Sequence, residues 1–364
     1  MCEISVDELG PSKVILLRFP KIRGLEAVVV VDNTALGPAI GGVRVSPSVT
    51  VEEVTRLART MTLKNSVAGL SHGGGKAGIV ADPGDPEKER YFRAFARAIR
   101  DLSEYIPGPD MGSDERAMAA IYGVTGRAVG LPEEMGGIPL DRLGATGFGL
   151  AECAEVACPY AGMDLKGARV SVQGFGSVGK AVARFLARKG ARVVAVSDRK
   201  GSISDPVGLD VEAVIRSKDS AGSVVDHPGA KVSASEDALF APCDILVPAA
   251  GPDVINRENV HALRAGMVLE GANIPMTEEA ERAARDKGIL VVPDFIANAG
   301  GVIAAAMEYE KKTAAEAFRA IAEKIRANTA MVLEKARAGG VSPRDAALGI
   351  ARERVLEAMG DDYV

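Results

Sequence analysis

Hydrophobic and polar positions follow two different periods in the first part of the chain. Runs rich in Val, Ile and Leu at Lys13–Phe19 and Leu25–Asp32 predict two β-strands. Thr50 and Glu53 have the spacing of a capping box, and the apolar residues that follow recur at helical intervals. A helix is therefore predicted to begin at Thr50, so strands and helices are mixed within this segment.

Turn residues and apolar stripes define further elements on either side of the chain's centre. A helix is predicted over Pro86–Leu102, followed by a loop at Ile106–Ser113, whose prolines and glycines disfavour regular structure. Towards the C-terminus, apolar stripes predict helices over Gly301–Ala338 and Pro343–Met359. Ser342 is the expected N-cap of the last helix, because proline suits the first helical position.

From about Gly144 onward, helices and strands alternate. The order begins with a helix at Gly147–Cys158, a strand at Arg169–Gln173, a glycine turn, a helix at Ser177–Lys189 and a strand at Arg192–Ser197. Three later strands are predicted at Asp244–Val247, Met267–Glu270 and Ile289–Val292. This β-α-β-α order is typical of a parallel sheet with helices on its faces.

The length of the chain and its net charge limit the number of domains and the kinds of binding partner that are expected. The 364 residues are enough for roughly two domains, and 44 basic against 49 acidic side chains give a net charge of −5. A mildly acidic protein offers no broad attraction for nucleic acid or for an anionic membrane. No apolar run reaches the length of a membrane span, about 18 residues. Neither nucleic acid nor membrane is therefore expected as a partner.

Cysteine and histidine usage argues against metal sites and disulfides. The cysteines Cys2, Cys153, Cys158 and Cys243 form no Cys-x-x-Cys pair, and the three histidines lie far apart in the sequence. No metal site is expected, and the thiols are expected to be buried and inert. The first ten residues carry acids where a signal or transit peptide would carry basic residues. These features predict a protein of the reducing cytoplasm.

A glycine-rich turn follows one predicted strand and opens the next helix. Residues Gly174 to Gly179 match Gly-x-Gly-x-x-Gly, a pattern that lets the backbone approach a pyrophosphate at a helix N-terminus. Asp198 ends the following strand, where an acid accepts hydrogen bonds from the adenosine ribose and favours NAD. Arg199 and Lys200 come next, and either suits the 2′-phosphate of NADP. NAD is therefore predicted, with NADP left open.

A second group of polar residues lies earlier in the chain, at Lys64, Lys76 and Asp110. Taken one by one, Lys64 also suits a solvated helix end, and Asp110 also suits a Pro-Asp turn. Lys76 points more strongly to function, because glycines flank it on both sides and allow a small anion to approach the backbone closely.

Seven short motifs link these features. They are Leu-Gly-Pro-Ala-Ile-Gly-Gly-Val-Arg at 36–44, Met-Thr-Leu-Lys-Asn at 61–65, the glycine-rich segment 73–78, Pro-Asp-Met-Gly at 109–112, Ala-Thr-Gly-Phe-Gly at 145–149, Gly-Ala-Asn at 271–273 and Asn-Ala-Gly-Gly-Val at 298–302. In sequence and order they resemble the glutamate/leucine/phenylalanine/valine dehydrogenase family of amino-acid dehydrogenases. Length and C-terminal helices resemble the leucine dehydrogenase branch.

The resemblance implies an α/β fold of two domains separated by a cleft that closes during turnover. Residues 1–135, with a C-terminal helix of about 335–364 packed back, would form the substrate-binding and oligomerisation domain. Residues 136–334 would form a doubly wound, Rossmann-type domain for NAD(P). The family also implies a homo-oligomer, a hexamer or an octamer, and small-molecule partners: an amino acid, its 2-oxo acid and ammonia.

The resemblance assigns roles to the three polar residues of the first domain. Lys64 would bind the substrate α-carboxylate, Lys76 would be the catalytic lysine, and Asp110 would exchange protons with the substrate amino group. Two lysines in a drying cleft lower the pKa of at least one of them. A neutral Lys76 would then act as a general base on the water that attacks the imine.

Residues around the cofactor are implied in the same way. The positions of Asn273 and Asn298 match residues that hold substrate and nicotinamide, and Thr146 matches a threonine near the nicotinamide amide. Ala249 and Ala250 lie where the chain passes the cofactor, with loop packing as the alternative interpretation. The expected cofactor-binding residues are Thr146, Gly174, Phe175, Gly176, Ser177, Val178, Gly179, Asp198, Arg199, Ala249, Ala250, Asn273 and Asn298.

Two departures from the glutamate branch indicate an apolar substrate. That branch has a lysine before its Gly-Gly motif and a serine after its Asn-Ala-Gly-Gly-Val motif, and both contact the glutamate side chain. Here these positions hold Ile40 and Ala305. Without the two partners a buried glutamate carboxylate would be strongly destabilised. The expected substrate-binding residues are Lys64, Ile40, Gly41, Gly108, Asn273, Val302 and Ala305.

The sequence therefore predicts an NAD(P)-dependent enzyme that reversibly deaminates an apolar L-amino acid of the leucine, valine or phenylalanine type. Glutamate dehydrogenase is the first alternative, because the motifs at 108–112, 145–149 and 271–275 resemble the glutamate branch. A catalytically silent, nucleotide-sensing homologue is the second alternative. Retention of Lys64, Lys76 and Asp110 argues against it.

Overall fold

Five strands form a mixed sheet in the N-terminal part of the chain. A computed structural model describes residues 6–22 and 24–360. The strands are β1 (Lys13–Phe19), β2 (Leu25–Asn33), β3 (Ala39–Val45), β4 (Gly73–Val80) and β5 (Tyr105–Pro109). Their order is β1-β2-β4-β3-β5; β3 is parallel to β4 and β5, and the other neighbours are antiparallel.

Alternate residues of β2 enter the two cores that cover this sheet. The helices are α1 (Val51–Val67), α2 (Lys88–Ala98) and α3 (Glu115–Thr125). Val29 and Val31 belong to a large core shared with residues of α2 and α3, whereas Val28 and Val30 pack with residues of α1. Successive strand side chains point to opposite faces, so this apolar strand is buried on both sides. The predicted cap of α1 is present, because Thr50 Oγ1 accepts a hydrogen bond from Glu53 N at 3.1 Å.

The segment predicted as a loop at Ile106–Ser113 begins as a strand, so this prediction is wrong for its first half. Residues up to Pro109 form β5, which lies at the edge of the sheet and, within the described part of the chain, pairs with β3 alone. Proline lacks a backbone donor and is tolerated at an edge, where one side of the strand needs no partner. The loop proper starts at Asp110.

Seven strands form the second sheet. They are β6 (Arg169–Gln173), β7 (Arg192–Asp198), β8 (Gly201–Ser204), β9 (Lys231–Ser233), β10 (Ile245–Pro248), β11 (Met267–Leu269) and β12 (Leu290–Val292), in the order β12-β11-β10-β6-β7-β8-β9. The five strands from β12 to β7 are parallel, as predicted. β8 is antiparallel to β7, because a tight turn after Asp198 returns the chain directly along β7, and the edge strand β9 is antiparallel to β8.

Helices precede β6, connect most of the later strands and follow β12. They are α4 (Leu140–Leu143), α5 (Ala145–Ala157), α6 (Ser177–Arg188), α7 (Val211–Ala221), α8 (Asp237–Phe240), α9 (Glu278–Asp286) and α10 (Asp294–Ala297). Short 3-10 turns lie at Glu133–Met135, Cys158–Ala161, Val224–Asp226 and Val260–Ala262. The parallel order with helical crossovers is that of a Rossmann-type domain.

The long helix predicted over Gly301–Ala338 is interrupted. The structure has α11 (Gly300–Tyr309) and α12 (Ala314–Gly339) instead. Between them Lys311 adopts a positive φ of 58°, and Thr313 and Glu316 form a capping box that starts α12. The last helix, α13 (Pro343–Met359), begins as predicted, with Ser342 Oγ accepting from Asp345 N.

The chain divides into two compact units. The first contains the described residues up to Pro139, together with Val302–Ala320 and those from Leu348 onward; the second contains Leu140–Gly301 and Ile321–Ala347. The segment Val302–Ala320 thus joins the first unit, although the expected boundary lay at 334, and the C-terminal helix joins it at Leu348 rather than at about 335. No helix within residues 6–22 and 24–360 is both long and apolar enough to cross a membrane.

Candidate active site

Lys76, which is buried, and Asp110, which is half-buried, form an ion pair in the first unit. Lys76 lies in β4 and is 7% exposed, and Asp110 lies directly after β5. The Lys76 Nζ to Asp110 Oδ2 distance is 2.9 Å. Because β4 and β5 flank β3 in the sheet, the topology brings together two residues that are 34 positions apart in sequence. The structure therefore joins two of the three polar residues singled out in this domain.

Arg44 is a third member of this ionic group, and sequence reasoning quoted it only as part of a motif. Its Nε donates to Asp110 Oδ2 at 3.0 Å, and its Nη1 donates to Glu53 Oε1 at 2.5 Å. Burial opposes ionisation of Asp110, but the charge and hydrogen bond of Lys76, aided by Arg44, outweigh burial and lower the pKa of that carboxyl. Asp110 is therefore a carboxylate at neutral pH.

Two glycines of β3 make room for this pair. A Cβ on Gly41 would lie 1.6 Å from the carbonyl oxygen of Gly75, and a Cβ on Gly42 would lie 2.6 Å from Asp110 Cβ and 3.2 Å from Lys76 Nζ. Neither position tolerates a side chain while its neighbours stay in place. Gly41 and Gly42 therefore let β3 approach β4 and the Asp110 loop closely.

Lys64 lies in the last turn of α1 and is half-buried. Its neighbour Asn65 donates a hydrogen bond to the carbonyl of Gly73, the first residue of β4, at 2.7 Å. Between the same helix and strand, a Cβ added to Gly74 would lie 2.0 Å from Thr62 N. The end of α1, which carries Lys64, thus packs directly on the strand that carries Lys76.

Ile40 belongs to a small apolar cluster of the first unit. It is 4% exposed and packs with buried Ile106 and Val129, against which Ala305 and Tyr309 also pack. Sequence reasoning identified Ile40 and Ala305 as pocket residues but missed Ile106, Val129 and Tyr309. Nothing in the sequence shows that apolar residues so far apart pack together.

Two further predicted pocket residues lie in the first unit. Gly108 is in β5 opposite Gly42, and a Cβ there would lie 3.1 Å from Val129. Val302 lies in α11 and is half-buried. At the edge of the apolar cluster, the His72 ring packs edge-on against Tyr309, with 5.7 Å between ring centroids. Burial lowers the pKa of His72, so the ring is uncharged at neutral pH.

The predicted glycine turn lies between β6 and α6 in the second unit. Gly174 has a φ of 91°, and a Cβ there would lie 2.6 Å from Ala250 N; a Cβ on Gly179 would lie 1.9 Å from the Gly174 carbonyl. Gly176 has open space around it. Phe175 is buried, whereas Ser177 and Val178 begin α6. The N-terminus of α6 is therefore a suitable anion site with room for a pyrophosphate.

A cavity of about 610 Å³ adjoins this turn. Its lining includes Gln173, Gly174, Phe175, Gly176, Asp198, Arg199, Lys200, Lys218, Gly222, Ser235, Ala249 and Ala250. Gln173 is 8% exposed, and its Oε1 has no hydrogen-bond partner among the described residues. A buried orphan acceptor beside a glycine-lined cavity fits a ligand with hydrogen-bond donors, as a dinucleotide has. The residues present therefore fit NAD(P).

Asp198 ends β7 at this cavity, but its carboxylate already has protein partners. Oδ1 accepts from Lys200 N and Ser223 Oγ, and Oδ2 accepts from Lys218 Nζ at 2.7 Å and from Val224 N. Burial opposes ionisation, but these donors outweigh it and lower the pKa of Asp198 to about 2. The carboxylate is thus charged and hydrogen-bonded on both oxygens.

Asn273 and Asn298 contact one another in the second unit. Asn298 Nδ2 donates to Asn273 Oδ1 at 2.9 Å, and Asn298 is buried while Asn273 is exposed. Thr146 lies in the first turn of α5, and a Cβ on Gly301 would lie 3.1 Å from its Oγ1. Thr146 therefore packs against the same Asn-Ala-Gly-Gly segment that carries Asn298.

A buried ionic group supports the loop that carries Asn273, and sequence reasoning missed it. We call Glu270, Glu281, Asp294 and Arg344 the Arg344 cluster. Arg344 donates to Glu281 Oε2 at 2.5 Å, to Glu270 Oε2 at 2.7 Å and to Asp294 Oδ1 at 3.3 Å. Asp294 Oδ2 also accepts from Ile274 N, which fixes the loop directly after Asn273. The four residues are scattered in sequence, so no local motif marks them.

Comparison with known sequence families gives two matches. Residues 136–362 match the profile described as "Glutamate/Leucine/Phenylalanine/Valine dehydrogenase". Residues 11–127 match "Glu/Leu/Phe/Val dehydrogenase, dimerisation domain". Together the two matched segments contain every site residue predicted from the sequence, whereas Val129 of the apolar cluster lies between them.

Individual proteins match over most of the chain. "Glutamate dehydrogenase" from Aeropyrum pernix is 40% identical over 355 residues, covering 90% of this chain and 84% of that protein. "NADP-specific glutamate dehydrogenase" from Saccharolobus shibatae is 38% identical over 351 residues, covering 90% and 82%.

Solved structures match equally broadly. Hetero-hexameric glutamate dehydrogenase from Thermus thermophilus, in its Leu-bound form, has a TM-score of 0.84 and 34% identity, covering 96% of this chain and 89% of that one. L-tryptophan dehydrogenase from Nostoc punctiforme has a TM-score of 0.76 and 26% identity, covering 96% and 97%.

Proposed function

Because this chain belongs to the glutamate/leucine/phenylalanine/valine dehydrogenase family of NAD(P)-dependent enzymes, we propose that it reversibly deaminates an L-amino acid with an apolar side chain. The observation that carries this proposal is Ile40, a buried apolar residue packed with Ile106 and Val129. A substrate carboxylate placed against such a wall would lose its hydration without gaining a cation. The adjoining His72 ring, uncharged at neutral pH, does not supply one.

Glutamate is the second candidate, and the names of the relatives support it more directly than they support an apolar substrate. Both sequence relatives described above are named glutamate dehydrogenases, at 40% and 38% identity. The Nostoc punctiforme structure shows that a protein of this fold is also named for an aromatic substrate. The pocket residues and the relatives' names therefore favour different substrates, which one assay distinguishes.

The proposed chemistry uses the Lys76–Asp110 ion pair of the first unit. Asp110, held as a carboxylate by Lys76 and Arg44, would accept a proton from the substrate ammonium group. Lys76 would act on the water that adds during deamination, and Lys64 would bind the α-carboxylate as a compact cation. Bound at the glycine turn of the second unit, NAD(P) supplies the acceptor for the hydride that leaves the substrate. Asn273, Asn298 and Thr146 would position substrate and nicotinamide.

The direct test is initial-rate reductive amination by the purified protein. The assay combines ammonia, NADH or NADPH, and three acids: 2-oxoglutarate, 4-methyl-2-oxopentanoate and phenylpyruvate. We expect the highest kcat/KM with one of the two apolar acids. A clear preference for 2-oxoglutarate would overturn the apolar proposal and establish the glutamate alternative. Dinucleotide binding without turnover of any amino or oxo acid would instead favour the silent homologue.

Removing the Lys76 side chain tests the proposed mechanism. Lys76→Ala should lower kcat at least 100-fold, because the group proposed to act on the water and the ion-pair partner of Asp110 are both lost, while NAD(P) affinity stays within about twofold. Lys21→Ala, at an exposed position outside the site, is the matched control. Turnover near that of the wild type in Lys76→Ala would exclude Lys76 as a catalytic residue, whichever amino acid is the substrate.

We also propose that the protein is a homo-oligomer of the cytoplasm. The match to a dimerisation domain over residues 11–127 supports self-association, and the hetero-hexameric Thermus thermophilus structure supports an oligomer of this fold. Cys153, Cys158 and Cys243 are free and buried, as is common in a reducing compartment. Size-exclusion chromatography with light scattering should give a multiple of 37.8 kDa, and a monomer at micromolar concentration would contradict the oligomer.

A further inference from the structure

We propose that the cofactor site selects NADP over NAD, with Arg199 and Lys200 binding the 2′-phosphate and Asp198 acting as a positioning residue rather than as a ribose acceptor. This inference rests on the proposed dinucleotide site at the glycine turn. It concerns the far end of the same cavity, where β7 ends and the chain turns into β8.

The hydrogen bonds of Asp198 leave no acceptor position for a ribose hydroxyl. A carboxylate has about four lone-pair directions, and Asp198 accepts four hydrogen bonds, two on each oxygen. Selectivity for NAD by an acid requires that its oxygens receive the ribose 2′-hydroxyl. To do so here, Asp198 would have to give up a bond to Lys200 N, Ser223, Lys218 or Val224 N. The carboxylate instead holds the β7–β8 turn and the segment after α7 in place.

The charge balance at this end of the cavity favours an additional anion. Lys218 pairs with Asp198 at 2.7 Å and neutralises it, so the acid no longer repels a phosphate. Arg199 and Lys200 also line the cavity, and neither has an ion-pair partner among residues 6–22 and 24–360. Both side chains are exposed. Two uncompensated cations on a tight turn match the charge of about −2 carried by a phosphate monoester near pH 7.

Small residues leave room for the phosphate. Ser235 and Gly222 line the cavity on the side of Asp198, and Gly222 has no atom within 4 Å of the place where its Cβ would lie. Ser235 Oγ donates to the Asp198 carbonyl at 2.6 Å, which places a hydroxyl beside the turn. The cavity that Arg199 lines is therefore open at Gly222 and polar at Ser235.

The first experiment measures binding alone. Isothermal titration calorimetry on the full-length protein compares 2′,5′-ADP with 5′-AMP, which differ only in the 2′-phosphate. We expect 2′,5′-ADP to bind at least about tenfold more tightly, the gain of a charge-assisted contact. NADPH should exceed NADH in affinity by a similar factor, and 0.5 M salt should reduce this difference because the contact is at the surface.

Variants separate the two roles. Arg199→Ala and Lys200→Ala should each weaken NADPH and 2′,5′-ADP several-fold, and together about tenfold or more, while NADH affinity stays within about twofold. Lys231→Ala, an exposed lysine of β9 outside the cavity, should change neither. Asp198→Asn should weaken NADPH and NADH together, since the turn that it positions serves both.

The outcomes distinguish this inference from the proposed site itself. The inference would be overturned if NADH bound as tightly as NADPH and 5′-AMP as tightly as 2′,5′-ADP, or more tightly. It would also be overturned if Asp198→Asn lost affinity for NADH alone. Either result would indicate that Asp198 accepts from the ribose, and the dinucleotide site itself would stand. Failure of all four nucleotides to bind would remove the site and the inference with it. A selective loss of NADPH in Arg199→Ala and Lys200→Ala would support both.

Discussion

The geometry of the Lys76–Asp110 pair depends on the absence of a side chain at Gly42. Gly42 lies beside both residues, and a Cβ there would come within 2.6 Å of Asp110 Cβ and 3.2 Å of Lys76 Nζ. The backbone of Gly42 does not need a positive φ, so its requirement for glycine comes from space alone. A methyl group at this position would act on the ion pair without removing any charge.

Gly42→Ala should therefore reduce catalysis more than it reduces stability. A displacement of reacting groups by about 1 Å costs up to about 100-fold in rate, so we expect kcat to fall about 10- to 100-fold while dinucleotide affinity is unchanged. Gly123→Ala is the matched control, because no atom lies within 4 Å of its Cβ position. Steady-state kinetics on both variants would show whether Gly42 sets the geometry; equal activities would refute this.

Ile40 offers a test of specificity at the same scale. Ile40→Lys places a cation at the position where the glutamate branch has a lysine, and should raise the ratio of kcat/KM for 2-oxoglutarate to that for apolar oxo acids at least tenfold. Ile40→Leu conserves volume and polarity and should keep the wild-type ratio. Ratios that agree in all three proteins would show that position 40 does not contact the substrate side chain.

Among the secondary-structure elements, the Arg344 cluster ties together β11, α9, α10 and the first turn of α13. Glu270 follows β11 and is fully buried, and Arg344 reaches it from α13 at 2.7 Å. Asp294, at the start of α10, connects the cluster to Ile274 N in the loop after Asn273. The position of that loop thus depends on a helix that is distant in sequence.

Arg344→Met should destabilise the protein by about 3–5 kcal/mol, the usual cost of leaving buried carboxylates without their cation. The KM for NAD(P) should rise as well, because the loop carrying Asn273 loses its support. Arg282→Met, an exposed arginine of α9, should change the free energy of unfolding by less than about 0.5 kcal/mol. Urea unfolding of the two variants provides the comparison, and similar midpoints would mean that the cluster is not a stabilising contact.

For the whole molecule, the same cluster gives folding a distinctive pH dependence. Burial raises the pKa of Glu270 from 4.5 to about 8, against the opposing charge of Arg344. Between these two values the folded state holds a proton that the unfolded state has released. Stability gained from this group is therefore present at low pH and is lost as the pH rises from about 4.5 towards 8.

Glu270→Gln should remove this pH dependence. The amide imitates the protonated carboxyl, so the free energy of unfolding of the wild type should fall relative to the variant by up to about 1.4 kcal/mol for each pH unit between pH 5 and 8. Urea titrations at several pH values measure this difference. A wild type that instead gains stability relative to the variant as pH rises would show that Glu270 is ionised in the folded protein.

Local sequence patterns determined much of this protein. The β-α-β alternation predicted the Rossmann-type sheet, and the α/β fold, the family, the enzyme class and the dinucleotide cofactor are confirmed. Each of these depends on contiguous residues, such as the turn from Gly174 to Gly179 or the cap at Thr50. Predictions of secondary structure failed where local signals compete. The prolines of β5 indicated a loop rather than an edge strand, and a continuous apolar stripe indicated one helix where α11 and α12 are separate.

Only the tertiary structure decided which distant residues meet. It placed Lys76 against Asp110, gathered Ile106, Val129 and Tyr309 around Ile40, and built the Arg344 cluster from four separate segments. It also showed that Asp198 is already fully hydrogen-bonded, although its position in the sequence is that of a ribose acceptor. The physical reason is the same in each case. A motif reflects the backbone geometry of a few neighbouring residues. The charge of a side chain and its free acceptor atoms depend instead on residues that only the complete fold places beside it.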